Sequence, residues 1–376
     1  MLPRNSTNVR QNEYVIWSRM DRHRLAYETL LSDRSREIAT NLGLPNAHEA
    51  DMCLDCHADN VDPSLRGDRF VLADGVGCEA CHGGGERYIA AHTADDATHQ
   101  SNIDAGLYPT DRPEARAKLC LSCHMGTTDK MATHEIMGAG HPRLAFELDT
   151  FTILQPAHFR IDEDYVERKW SDSSLVTWQL GQVEAARQSL ALIDHAMRAT
   201  GVFPELGVFD CHACHHPMDE VRWRPQEYVG LPPGSVRLND AHFVMLMEFA
   251  RVLAPATGEQ LATELEALHG HLGDGNRRDK AIASIRGIVG RLAELDLDVD
   301  AHARPLLQAM TSMPGRRPVI DYTVAEQLVM ATDMLLGVLD RRKANEQWLE
   351  TLYDSVRREN AFDPDRFAEV MAGFEA

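Results

Sequence analysis

Apolar positions recur along most of the chain at helical rather than strand spacing. Between residues 14 and 42, Ile16, Met20, Tyr27, Leu30 and Ile38 follow a helical period, and Gly43 with Pro45 supplies the stop. A stronger stripe runs through residues 174–199, where Val176, Leu180, Val183, Leu190, Ile193 and Met197 share a face and His195 points away from it. Beyond residue 240 helical segments repeat. Phe243, Leu246, Ala250 and Leu253 precede Pro255, residues 261–269 and 280–295 follow, and Val324, Leu328, Ala331, Leu335 and Val338 stand behind a Thr323/Glu326 capping box. The pattern predicts a bundle of five or six helices there. Residues 225–240, rich in Pro and Gly, read as a linker.

Residues 46–130 show little regular β-pattern, and this is where most of the cysteines lie. The eight cysteines form four pairs of one construction, Cys53/Cys56, Cys78/Cys81, Cys120/Cys123 and Cys211/Cys214. Each pair is followed at once by a histidine: His57, His82, His124 and His215. A CxxCH run is the attachment pattern of haem c, in which two thioethers fix the porphyrin edge and the histidine reaches the iron as proximal ligand. A four-cysteine zinc ribbon is the competing reading for the first two pairs, but it requires no histidine after each. With histidine at about one residue in twenty, four such histidines by accident have a probability on the order of one in a hundred thousand. Four covalently bound haem c groups are therefore expected.

Four irons need second ligands, and the remaining histidines are the candidates. His23 lies between Met20 and Tyr27 on the first apolar stripe. His134 and His141 flank the glycine-containing stretch of THEIMGAGHPR, and His158 stands in QPAHF. These are read as distal ligands or as polar partners of haem propionates. Gly75, Gly77 and Gly83 to Gly85 bracket the second pair, where the missing side chains allow backbone to approach a flat macrocycle.

Composition narrows the partners. A formal charge of −20 argues against nucleic-acid or anionic-membrane binding, since both need a basic footprint. Residues 241–254 and 324–339 are too short and interrupted to span a bilayer, and residues 1–7 lack the apolar core of an export signal. A soluble chain is expected, its export signal removed or replaced. With 44% apolar residues the chain can bury a substantial core.

The N-terminal part resembles the cytochrome c-554 family, tetrahaem cytochromes associated with ammonia oxidation. The likeness rests on Trp17 with His23 six positions later, on Cys53 to His57, on GVGCEACHGGG at residues 75–85, on His92 ten positions after His82, and on Cys120 to His124. It covers roughly residues 14–130. The resemblance implies that His23 is a distal ligand of the Cys78/Cys81 haem, that the Cys53/Cys56 iron is five-coordinate, and that His92 ligates a haem. Two departures stand out. The family has a CxxCH ahead of the tryptophan that is absent here, and this chain adds Cys211 to His215 and the helical C-terminal part. His92 is thereby left to serve another haem, such as the added fourth one.

The expectation is a mainly α protein with a multihaem cytochrome core, little regular sheet and a C-terminal helical bundle. Residues 1–235 would form the tetrahaem domain and 236–376 a haem-free helical domain, available for docking or homo-oligomer formation. Electron transfer between other redox proteins, in the periplasm or otherwise outside the cytoplasm where haem c is attached, is the leading reading. A haem enzyme is the alternative, with one open iron acting on a small nitrogen-oxide or hydroxylamine-type substrate beside His48, Asp51 and Asp55. A structural or filament-forming role is a third.

Overall fold

The computed structural model describes residues 11–94, 96–169, 173–198, 203–215, 230–231, 235–316, 319 and 321–374. The chain is mainly helical, and no strand occurs among these residues beyond an isolated antiparallel bridge between Phe209 and Leu238. Contacts divide it into two compact units. One comprises residues 1–144 with 151–172, the other residues 145–150 with 173–376.

The first unit is built from short helices: α1 (Glu13–Met20), α2 (Ala26–Thr29), α3 (Asp33–Asn41), α4 (Asp51–His57), α5 (Cys78–His82), α6 (His99–Asp104), α7 (Pro113–His124) and α8 (His134–Gly138), with α9 (Leu148–Leu154) beginning outside it and α10 (Glu163–Arg168) completing it. The single helical stripe expected over residues 14–42 is broken into α1, a 3-10 turn at Arg22–Leu25, α2 and α3. Asp21 causes the first break. Its extended backbone stops α1, and its carboxylate accepts the His23 N–H to start the 3-10 turn. Met20, assigned to the buried stripe, is exposed.

Buried apolar side chains among the described residues of this unit are few, and half of them are alanine. A cluster of Leu30, Ala39, Ala47, Leu54 and Ala58 packs with Tyr27, Leu44, Cys53 and Leu72, while Leu65, Ile89, Ile161 and Val166 stand exposed. So little apolar burial is sparse support for a unit of this length.

The second unit has the opposite character. Its central helix, α11 (Ser174–Arg198), is buried over most of its circumference rather than along one stripe: Leu175, Trp178, Gln179, Gln182, Val183, Ala186, Leu190 and Ile193 are all buried. Helices α12 (Ala241–Leu253), α13 (Pro255–Gly270), α14 (Gly275–Ala293), α15 (Val299–Arg316), α16 (Tyr322–Val338), α17 (Glu346–Ser355) and α18 (Pro364–Ala372) complete the bundle, with α12, α14 and α16 against α11. Among the described residues seven α-helices therefore follow residue 240 where five or six were expected. Periodicity missed α15, which carries Pro305 and Pro314 inside it, and the short α17 and α18. The cap of α16 is Asp321, which accepts from Val324, rather than Thr323.

The partition between units falls at residues 172/173, not at 235/236, because α11 is the hub of the bundle. Of the expected linker, residues 225–229 and 232–234 lie outside the described residues. Its end is core: Arg237, Leu238 and Asp240 are fully buried.

Candidate haem centres

Helix geometry explains why the cysteines and histidine of a CxxCH run act together. Residues i, i+3 and i+4 of a helix share a face. Cys53, Cys56 and His57 end α4, Cys78, Cys81 and His82 make up α5, and Cys120, Cys123 and His124 end α7, so each triplet presents two sulfurs and one imidazole to the same side. Gly83 follows α5 at φ +76°, and a side chain there would press on the Gly106 carbonyl at 2.9 Å.

Each of these three histidines is faced by a second imidazole from a distant part of the first unit. The ring centres of His57 and His141 are 6.3 Å apart, those of His82 and His158 5.9 Å, and those of His124 and His23 6.2 Å, with the rings near perpendicular. Two metal–imidazole bonds of about 2 Å, plus roughly 1 Å from nitrogen to ring centre on each side, place trans ligands of one metal about 6 Å apart. All three pairs have that spacing. The donor set fits haem c: paired thiols, an imidazole beside them and a second imidazole opposite.

Burial favours the neutral imidazole, the form that binds a metal, at two of the CxxCH histidines, His82 and His124. Burial, aided by His23, holds His124 down to about 4. Burial lowers His82 too, with His158 and Lys169 adding to it. Burial likewise lowers His141, against the Pro142 carbonyl, which accepts from its Nδ1 at 2.8 Å. His57 Nδ1 donates to the Ala26 carbonyl at 3.0 Å. His23 differs, because its Nδ1 lies 2.9 Å from the Asp21 carboxylate, and that hydrogen bond raises its pKa against burial. Burial works to raise Asp21, but the hydrogen bonds from His23 and Gln155 outweigh it and bring the carboxyl to about 2.

Two of the CxxCH runs meet directly. Cys56 and Cys123 share a hydrogen bond between sulfurs, and Lys130 Nζ sits 3.3 Å from Cys123 Sγ and 2.9 Å from the Asp55 carbonyl. The first and third CxxCH runs are thus neighbours in space, though the second separates them in sequence.

The geometry departs from the resemblance in two places. His23 faces His124 and not His82, and His141 stands opposite His57, where an open iron was implied. The acid–base group proposed there is also divided: Asp51 and Asp55 both accept from Asn60, whereas His48 meets the Tyr27 ring at 6.3 Å. His92 lies exposed in a turn, its Nδ1 donating to the Ile89 carbonyl at 2.6 Å. His134 is the first residue of α8, whose N-terminus Thr133 caps.

The fourth CxxCH belongs to the second unit. Cys211–Ala213 form only a 3-10 turn, capped by Asp210, and the backbone leaves helical geometry at Cys214, at φ −121°. Cys214 stands exposed with His215, while Cys211 is half-buried. The turn is nonetheless closed across the whole motif, the Cys214 and His215 N–H groups both donating to the Cys211 carbonyl, at 3.2 and 2.7 Å. Cys78 is exposed as well, but it opens α5 and shares its face with Cys81 and His82. His216 and Pro217 lie outside the described residues.

Hydrogen bonds from Asp210 N to Arg237 O and from Asn239 N to Val208 O pin the fourth loop to the segment before α12. Beneath it is a buried charged cluster that the sequence pattern offered no reason to single out. Arg237 pairs with Asp240 and, at 3.2 Å, with Asp321, and His269 Nε2 lies 3.0 Å from Asp240. Burial, with the negative charge of Asp321, pushes Asp210 well above the usual carboxylate range. His99, beside Asp111 at 3.1 Å, and His212, against the Tyr322 ring at 5.5 Å, were likewise not singled out.

Comparison with known proteins agrees with the chemistry of the N-terminal part. Residues 9–83 match the family described as cytochrome c554 and c-prime. No curated protein and no solved structure matches the chain. Among the described residues no helix is long and apolar enough to cross a membrane.

Proposed function

We propose that this c-type cytochrome, which resembles the cytochrome c554 family through residues 9–83, carries four haem c groups and passes electrons between redox proteins outside the cytoplasm. One observation carries the reading: three CxxCH histidines are each faced by another imidazole at the spacing of trans ligands on one metal. The axial pairs are His57 with His141, His82 with His158, and His124 with His23. Haem bound at such a site supplies one-electron chemistry.

What the protein contributes is fixed geometry. Iron with two nitrogen ligands held on a folded scaffold changes oxidation state with little rearrangement, which suits electron transfer rather than substrate binding. The contact between Cys56 and Cys123 favours exchange between the first and third groups. The second unit, whose described part contributes one CxxCH and a large apolar core, serves as the platform of the fourth group, for which the Cys211/Cys214 motif is the support.

The test is spectroscopic. Purified protein should contain four covalent haems by haemochrome assay and intact mass, with the three paired sites low-spin by electron paramagnetic resonance. Replacing His141 by Ala should open one iron to carbon monoxide, seen as one additional CO-binding haem per chain. Three or fewer haems, or bound zinc, would overturn the tetrahaem reading. A carbon monoxide titration unchanged by His141→Ala would remove the His57/His141 pair.

A further inference from the structure

The first and third axial pairs differ in what holds their imidazoles from behind. At the first site both partners are neutral: His57 donates to a backbone carbonyl of Ala26 and His141 to that of Pro142. At the third site His23 is held by a carboxylate. Asp21 Oδ1 takes the His23 Nδ1–H at 2.9 Å and the His23 backbone N–H at 3.0 Å, while Gln155 Nε2 donates to Oδ2 at 3.1 Å. Asp21 is only 8% exposed, so water screens this charge little.

A carboxylate behind a ligating imidazole fixes its tautomer and makes it a stronger donor. Stronger donation and a nearby negative charge both stabilise ferric over ferrous iron, so the one-electron reduction becomes harder. The nearby cation does not cancel this difference, because Lys130 lies between the first and third attachment sites, near both Asp55 and Cys123.

We propose that Asp21 is a potential-setting residue that makes the His23/His124 haem harder to reduce than its neighbour at His57/His141, giving electron flow between these adjacent groups a preferred direction. This rests on the axial pairs proposed above. Electrons entering at the third site would pass downhill to the first. Asp21 does not touch the iron; it acts through His23 and is a positioning residue.

The experiment is a spectroelectrochemical titration of the full-length holoprotein, with each haem followed by its paramagnetic resonance signal. The signal lost in His23→Ala identifies the third site. In Asp21→Asn, which keeps an acceptor oxygen but removes the charge, that haem should shift toward reduction by about ten-fold, equal to about 59 mV for a one-electron couple, while the His57/His141 haem stays put. Asp21→Glu should restore most of the difference. Gln155→Leu should move the same haem the opposite way by a smaller amount, because the carboxylate loses a competing donor, and shifts of opposite sign are not expected from general loosening. An unmoved third-site potential in Asp21→Asn with four haems retained, equal shifts of all haems, or same-sign shifts in Asp21→Asn and Gln155→Leu would each overturn the proposal. If wild-type protein shows no low-spin signal that His23→Ala abolishes, the axial assignment fails instead, and the two failures are told apart.

Discussion

His242 provides a direct test of the electrostatics inside the bundle. It lies buried on α12, and a chain of amides fixes its tautomer. Gln327 Nε2 donates to the Phe146 carbonyl, which turns its Oε1 toward Gln182 Nε2, which in turn leaves Gln182 Oε1 to accept from His242 Nδ1 at 2.8 Å. Burial alone lowers the imidazole to about 4 from an ordinary 6.5. Between those values the unfolded chain takes up a proton that the folded chain refuses, so this group's contribution to stability is lost as pH falls. The loss from pH 7 to 4.5 is about 2 to 3 kcal/mol. Asp240 acts oppositely. Burial raises it to about 6 against Arg237, so the folded chain is protonated first and acid favours it. The wild-type profile therefore mixes signs, and the variant difference isolates His242. In His242→Asn the side-chain N–H can still donate to Gln182, but the titration is gone. Urea unfolding followed by far-ultraviolet circular dichroism should find the variant less stable at pH 7, with the gap closing by about 2 to 3 kcal/mol at pH 4.5. A gap constant to within about half a kcal/mol would refute the reasoning.

Replacing Arg237 by Ala leaves Asp240 and Asp321 buried without their cation, and should cost about 3 to 5 kcal/mol in the same urea experiment. Gly75→Ala should lower stability by at least about 1 to 2 kcal/mol and reduce haem content by haemochrome assay. Gly75 sits at φ +73°, and a Cβ would lie 2.7 Å from the His23 carbonyl and 2.8 Å from that of Arg24. Gly84→Ala, with nothing within 4 Å of the added atom, is the control expected to change neither.

Local chemistry was written in the sequence. A CxxCH run needs only one turn of backbone to bring two sulfurs and an imidazole to the same side, so its meaning survives without the rest of the fold. Whether that turn is α-helical was not written there: the motif reads alike at all four pairs, yet the backbone leaves the helix at Cys214. Helix content was legible because apolar period depends on near neighbours. The pairing of His23 with His124, His57 with His141 and His82 with His158 was not, since it joins residues far apart in the chain that only the packing of the first unit brings within ligation distance. Nor could periodicity reveal that α11 is enclosed. Gln179 and Gln182 look like a solvent face, yet Gln179 donates to the Leu292 carbonyl and Gln182 to Gln327, so both are buried at little cost. The Arg237 segment misled for a related reason. Polar residues near Pro and Gly suggest a loop in water, but a charge can be buried when its counter-charges come from elsewhere, here Asp240 nearby and Asp321 from across the bundle. The sequence by itself determined which side chains could hold haem, and tertiary structure decided which of them face one another, because ligation and ion pairing act over a few ångströms of space and not along the chain.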